Sequence, residues 1–256
     1  MKIIDTHCHL NDETLFKDLD NVISRARQAG VEKMIVVGWD ENSSKLAIQI
    51  AEQYDFIYAV IGFHPENIFD ITDEVLYRTL NLYNHPKVVG IGEIGLDYHW
   101  TKEPEKRILQ KEFFIKQIEF ANKVHLPISI HSREAFNDTV EILKEHKPLY
   151  GGVMHCYSGS VENITDIINL NLYIGLDGPV TFTNAKTPKE VAAEVPLERL
   201  IVETDCPYLS PHPLRGTVNE PANISLVVDE IARIRDMSKK HLLDILYKNS
   251  CELFNI

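Results

Sequence analysis

The sequence opens MKIIDTHCHL, which sets Asp5, His7 and His9 at alternate positions. In an extended strand, residues i and i+2 point to the same side, about 6.6–7 Å apart along the chain. Two imidazoles so placed can lean toward one ion. Further along, His64 stands in GFHP, Glu93 in GIGEIGLDYH, His131 in ISIHSRE, His155 in VMHCYSG and Asp205 in IVETDCP. Each of these groups closes a short run of apolar, often β-branched residues, where strand propensity favours Val or Ile. Taken singly, each has an ordinary explanation: a hydrogen-bonded histidine, an ion-pair partner, or, for Asp205, an N-cap or turn former before Pro207. Taken together, His7, His9, His131, His155, Glu93 and Asp205 would be costly to bury unpaired. A divalent metal is the simplest shared partner.

For these groups to meet, the runs that carry them must end side by side. Eight strand candidates recur: KIIDTHCHL, KMIVVG, IYAVIGFHP, VVGIGEIGL, PISIHS, GVMHCYS, LYIGLDG and LIVETDCP. Helical periodicity fills the intervals. Phe114, Ile118 and Ala121 share one face, and Ile224, Val227, Val228 and Ile231 share another. Strict alternation of strand and helix means parallel strands with crossover helices. Eight such units predict an α/β chain folded as one (β/α)8 TIM barrel over residues 1–256. A doubly wound open sheet is the rival, and the lack of a Gly-rich phosphate loop weighs against it. SKKHLLDILYKNSCELF would add an extra C-terminal helix, N-capped by Ser238, with Leu242, Leu246 and Leu253 on one face. In a barrel the C-terminal strand ends share one mouth, where barrel enzymes keep their chemistry.

Composition narrows the function classes. Apolar residues make up 44% of the chain and charged residues 25%, which suits a compact fold with one full core. Lys and Arg number 26 against 38 Asp and Glu, and the net charge of −12 has the wrong sign for coating nucleic acid through a basic face. It leaves room for an enzyme that grips one or two phosphates through bound cations. No stretch approaches the ~20 apolar residues of a membrane span. Asp5 interrupts the apolar run at the start, so no signal peptide is expected. Cys8, Cys156, Cys206 and Cys251 form no CxxC pair and are expected to be reduced thiols in a cytoplasmic protein. Cys8, Cys156 and Cys206 each follow a ligand candidate, so alternation should turn them away as small apolar fillers behind the site. His85, His125, His146, His212 and His241 fall in loops or helix termini and are expected to be solvated; the part of His99, close after Glu93, stays open.

DTHCHL, GFHP, GEIGLDYH, HSREA, HCYSG and ETDCPYL, followed by RGTVNEP, run in this order from residue 5 to residue 221. In that order they resemble the TatD-type metal-dependent deoxyribonucleases, within the amidohydrolase-like group of barrel hydrolases. The resemblance implies a two-metal site. His7, His9, Glu93 and Asp205 would hold one ion; Glu93, His131 and His155 would hold the second, with Glu93 bridging; His64 would contact the substrate phosphate. Tyr157 stands where Phe is more usual, and GLDGPVTF departs from a serine-bearing form, which leaves the part of Asp177 open. The chemistry agrees. Two ions ~3.5–4 Å apart can activate water, neutralise phosphoryl oxygens and help the leaving oxygen. A carboxylate, with two oxygens, is the natural bridge.

Asp205 would also accept the proton of the attacking water. Glu203, two residues earlier and deeper, is expected to orient a ligand histidine, and Asp5 is placed to do the same. Arg133, Ser158 and Arg215 are phosphate-donor candidates, with loop ion pairs as the alternative for the arginines. Tyr98 and Trp100 would stack on a base or form an apolar lid. Lys102, Lys106 and Arg107 would add local positive charge. Histidine-rich ligation suits Zn, Mn, Ni or Fe better than Mg, whereas the resemblance implies turnover with Mg or Mn. The reading is a hydrolase cleaving DNA phosphodiesters through a two-metal-activated water. Short, single-stranded or end-bound DNA is the expected substrate, with no obligate protein partner. The rivals are a barrel metallohydrolase acting on an ester or amide, such as an aminoacyl-tRNA ester, and a non-catalytic metal-binding protein.

Overall fold

The structure is a computed structural model that describes residues 2–256. Its eight strands are β1 (Ile3–Cys8), β2 (Val31–Val37), β3 (Ile57–Ile61), β4 (Val88–Asp97), β5 (Ile128–Arg133), β6 (Gly152–Met154), β7 (Leu172–Leu176) and β8 (Leu200–Val202). They form one parallel sheet in sequence order, with a helical segment in every interval, a (β/α)8 TIM barrel. All eight predicted runs carry a strand, but β6 and β8 stop after three residues. His9, His64, His155 and Asp205 sit just beyond the ends of their strands.

Seven ladders join neighbouring strands from β1 to β8. The seam between β1 and β8 is closed differently. The Asp5 carboxylate accepts from the Thr204 amide at 3.0 Å and from the Thr204 hydroxyl at 2.6 Å. The Thr6 hydroxyl donates to the Val202 carbonyl at 3.0 Å. Above these, the Asp205 amide donates to the His7 carbonyl at 2.9 Å and the His9 amide to the Cys206 carbonyl at 2.8 Å. The seam is thus tied at the residues that bear the chemistry.

The side-chain period of two divides the apolar residues. Met34 and Val36 pack outward with the helices, while Ile35 and Val37 join Val60, Val153, Tyr173 and Ile201 in a separate cluster inside the barrel. The C-terminal helix Lys239–Phe254 sends Leu253 and Phe254 into that inner cluster. It starts as expected, with the Ser238 hydroxyl accepting from the His241 amide. Burying each of these two side chains is worth about 1.5–3 kcal/mol. The lower barrel is therefore apolar and filled, and the polar groups are confined to the upper end.

Candidate metal centre

Two sets of donor atoms meet at the mouth. In the first, the His7 and His9 Nε2 atoms are 3.3 Å apart. Asp205 Oδ1 lies 3.3 Å from His9 Nε2 and 3.8 Å from His7 Nε2. Glu93 Oε2 lies 3.6 Å and 3.8 Å from the same two nitrogens. In the second set, Glu93 Oε1 is 2.8 Å from His131 Nδ1 and 3.8 Å from Nε2 of both His155 and His64. The two oxygens of Glu93 thus face different groups of imidazoles.

The orientation of each ring follows from what its other nitrogen touches. His9 Nδ1 donates to the Val37 carbonyl at 3.1 Å, which leaves Nε2 as a lone pair aimed at the site. His155 Nδ1 donates to Glu203 Oε1 at 2.9 Å, and the same oxygen accepts the Cys156 amide at 2.6 Å. His7 Nδ1 meets the Ser129 hydroxyl at 3.3 Å. His131 Nε2 lies 2.9 Å from Asp97 Oδ2. With that proton on Nε2, the Nδ1 lone pair points at a Glu93 oxygen, and the contact needs a cation between them. In the protein alone a proton does this work. Burial resists the charge, but the hydrogen bonds to Asp97 and Glu93 prevail and push His131 up to about 9. Glu93 sits well below the usual range: burial opposes this, and the surrounding histidines, His64 first, outweigh it.

This donor set fits divalent metal. Ligand atoms around a tetrahedral ion with ~2.1 Å bonds stand ~3.4 Å apart, close to the spacings of the first set. His7, His9 and Asp205 form one group that could share an ion, and His7, Glu93 and His155 form another. His64, Asp97 and His131 form a third.

The site is braced from outside by one helix. In helix Pro104–Val124, the buried Gln110 accepts the Asp97 amide at 3.0 Å and donates to the Pro65 carbonyl at 3.2 Å. Gln117 accepts the Phe63 amide at 2.8 Å and donates back to its carbonyl at 3.1 Å. The turn bearing His64 and the end of β4 are thereby fixed to one scaffold. His64 Nδ1 accepts the Glu66 amide at 3.2 Å, so its proton is on Nε2 and faces the cavity. Burial and then His131 push His64 down to about 3, so it is a neutral donor.

A profile of the TatD related DNase family matches residues 4–255. The chain belongs to this family. It is similar to an uncharacterized metal-dependent hydrolase, YabD, of Bacillus subtilis, with 48% identity over 255 residues and 99% of each chain covered. The crystal structure of the TatD homologue YjjV from Escherichia coli superposes with a TM-score of 0.93 at 31% identity, covering 99% of this chain and 98% of that one. A TatD family hydrolase from Entamoeba histolytica gives 0.87 at 27% identity, covering 98% and 97%. As a TatD family member, the chain is a metal-dependent hydrolase.

Around this TatD centre the structure places the expected residues unevenly. A cavity of about 700 Å³ opens above the donors, lined by Arg133, Ser158, Trp39, Trp100 and Tyr208 among others. Glu203 touches His155 as expected. Asp5 does not touch a ligand ring; its carboxylate holds Thr204 and the His7 amide, so it acts on the backbone of the seam. Tyr98 does not line the cavity: it is buried, with its hydroxyl on Asp138 at 2.6 Å. Alternation explains this, because Asp97 faces the site and the next residue faces the helices. Arg215 lies over the Phe182 ring at 4.1 Å on an exposed loop and does not line the cavity. Lys102 and Arg107 hold the Tyr98 and Thr101 carbonyls, and Lys106 pairs with Glu103, so their charge supports the loop. His99 pairs with Glu134 on the rim.

Cys8 and Cys206 are fully buried, but Cys156 lines the cavity. β6 has ended by then, and Cys156 adopts φ +43°, so strand alternation no longer applies. Asp205, at φ +54°, and Leu209, at φ +52°, also line the cavity from the left-handed region, which Asp tolerates better than most. Asp177 is buried beside Cys156; burial, then Glu203 and Asp205, push its carboxyl well above the usual range.

Asp97 is the residue that sequence reasoning missed. The available signal was its spacing, since Glu93, Gly95 and Asp97 alternate along a ten-residue strand. Asp97→Asn keeps the oxygen that binds the His99 and Trp100 amides but turns an amide N–H toward His131. It is expected to lower metal affinity about 10–100-fold, read by isothermal titration calorimetry. Unchanged affinity would confine Asp97 to shaping the loop.

Proposed function

We propose that the chain hydrolyses phosphodiester bonds in DNA with two divalent ions. The observation that carries this reading is the split of Glu93 between two donor sets, beneath a cavity that presents Arg133 and the neutral Nε2–H of His64. Divalent ions held by these residues would polarise a phosphoryl oxygen and acidify a water. The protein supplies the rest. Asp205, which burial would raise but His155 and His9 hold below the usual carboxylate range, stays ionised and accepts the proton of the attacking water. His64 donates to a non-bridging oxygen, and Arg133 offers a charged fork to the same or the adjacent phosphate. Glu203 keeps His155 in the tautomer that frees Nε2. Zn, Mn, Ni or Fe suits the histidine-rich set, with Mg as the harder alternative.

The substrate is short, single-stranded or end-bound DNA, since a chain of net charge −12 attracts long duplex weakly. No described helix is long and apolar enough to cross a membrane, and the free cysteines suit a reducing cytoplasm. The test is a time course of metal-loaded protein on 5′-labelled single- and double-stranded DNA across several metals, beside a panel of carboxylic esters. Oligonucleotide cleavage that chelation abolishes is expected. Turnover of esters alone would overturn the reading.

A further inference from the structure

β2 supplies no metal donor, yet the turn that follows it meets the site at three successive carbonyls. The Val37 carbonyl accepts from His9 Nδ1 at 3.1 Å. The Gly38 carbonyl accepts the Glu93 amide at 2.9 Å, and the Trp39 carbonyl accepts the His64 amide at 3.0 Å. A ring of the first donor set, the backbone of the carboxylate that faces both sets, and the backbone of the neutral donor in the cavity are thus held against adjoining peptide units. Peptide units are planar and stiff, so these three contacts move together or not at all.

The turn is itself clamped. Asn11, two residues beyond His9, is buried, and its Nδ2 donates to the Val37 carbonyl at 3.1 Å and to the Ser43 carbonyl at 3.0 Å. A carbonyl has two lone pairs, and His9 and Asn11 take both of those on Val37. Turning the Asn11 amide over would set its oxygen against two carbonyl oxygens. As it stands, Oδ1 is buried without a partner. An unpaired, desolvated acceptor costs the fold stability, so the side chain is kept for its two donors. From the other side, the Ser43 hydroxyl accepts the Trp39 and Asp40 amides, each at 2.8 Å. Gly38 lies so close to helix Glu41–Gln53 that a Cβ there would stand 2.6 Å from the Ser44 Cα.

We propose that Asn11 is a positioning residue for the metal centre: by locking the turn at 37–39 to the end of β1 and to the following helix, it fixes His9, Glu93 and His64 relative to one another. Asn11 does not line the cavity, so it acts only through the carbonyls it holds. The inference rests on the two-ion reading above and is independent of which bond the enzyme cleaves.

Chelated protein is titrated with Co(II), read by calorimetry for affinity and by the visible absorption band for coordination geometry, with circular dichroism recorded alongside. Asn11→Ala is expected to weaken cobalt binding about 10–100-fold and to alter the visible band, because His9 keeps its acceptor but loses its fixed position. Both ions should be affected, since the Glu93 backbone hangs from the same turn. Ser43→Ala, which frees only the Trp39 end, should have the same effect in smaller measure, and it carries the test if Asn11→Ala does not fold. A residue that merely stabilised the fold would lower Tm and leave the cobalt affinity and band as in the wild type. That result in Asn11→Ala, or in Ser43→Ala where Asn11→Ala does not fold, would overturn the proposal. Uptake of a single cobalt equivalent by the wild type would overturn the two-ion reading instead, and weaker binding of that ion by Asn11→Ala would still support the clamp.

Discussion

Glu93→Gln is expected to lower hydrolysis about 10³-fold or more and to reduce the metal content of the purified protein. The substitution keeps the shape of the side chain, so packing is nearly unchanged. It removes the charge that five imidazoles surround, and leaves one oxygen where two faced separate donor sets. The amide nitrogen then presents N–H groups to imidazole lone pairs, and one set loses its carboxylate atom. Glu93 lies at the mouth, above the apolar filling of the lower barrel, so circular dichroism should stay that of the wild type. Metal analysis by mass spectrometry and turnover of labelled DNA read the two effects separately. A variant that keeps both its metal and its rate would refute the bridging role.

Chelation should have the second large effect. At metal concentrations near 100 times Kd, binding adds about 2.7 kcal/mol, which for a chain of this size raises Tm by about 5–10 °C. The donors come from β1, β4 and β5 and from the segments just after β1, β6 and β8, so the ions hold together elements far apart in sequence. The chelated protein should also acquire a pH dependence that the loaded protein lacks. His131 is pushed up to about 9 in the folded protein, above the ~6.5 of an unfolded imidazole. Its protonation therefore stabilises the chelated fold fully below about 6.5, and that contribution is lost as pH rises through about 9. Thermal melts between pH 6 and 10, with and without chelator, measure this. Metal binding near pH 8 should release protons, visible as buffer-dependent heats. Identical melts in the two states would exclude an ion at the His131 position.

The sequence carried the architecture because each strand is a short apolar run set off by helical periodicity, and because an ionisable group at a strand end conflicts with local propensity. His7, His9, Glu93, His131, His155 and Asp205 were conspicuous for that reason. The same alternation also held the answer for Asp97 and Tyr98, which sit on opposite faces of the end of β4. It failed at Cys156, where the strand stops early and the backbone turns to positive φ. It had no bearing on Arg215, because an irregular loop has no period and its side chains take their direction from tertiary contacts. Trp100 was marked in the sequence, but Trp39 and Tyr208 were not, because loops distant in sequence bring them to the same opening.

The seam between β1 and β8 bears on how the protein comes into being. Asp5 and Thr204, which close it, are separated by 199 positions, and the histidines of β1 meet Asp205 across the same line. During synthesis the first half of the ligand set leaves the ribosome long before its counterpart exists. Contacts of such long range form late and slowly. A chain that stops short of β8 therefore cannot assemble the full donor set, and the site is completed only once the barrel has shut.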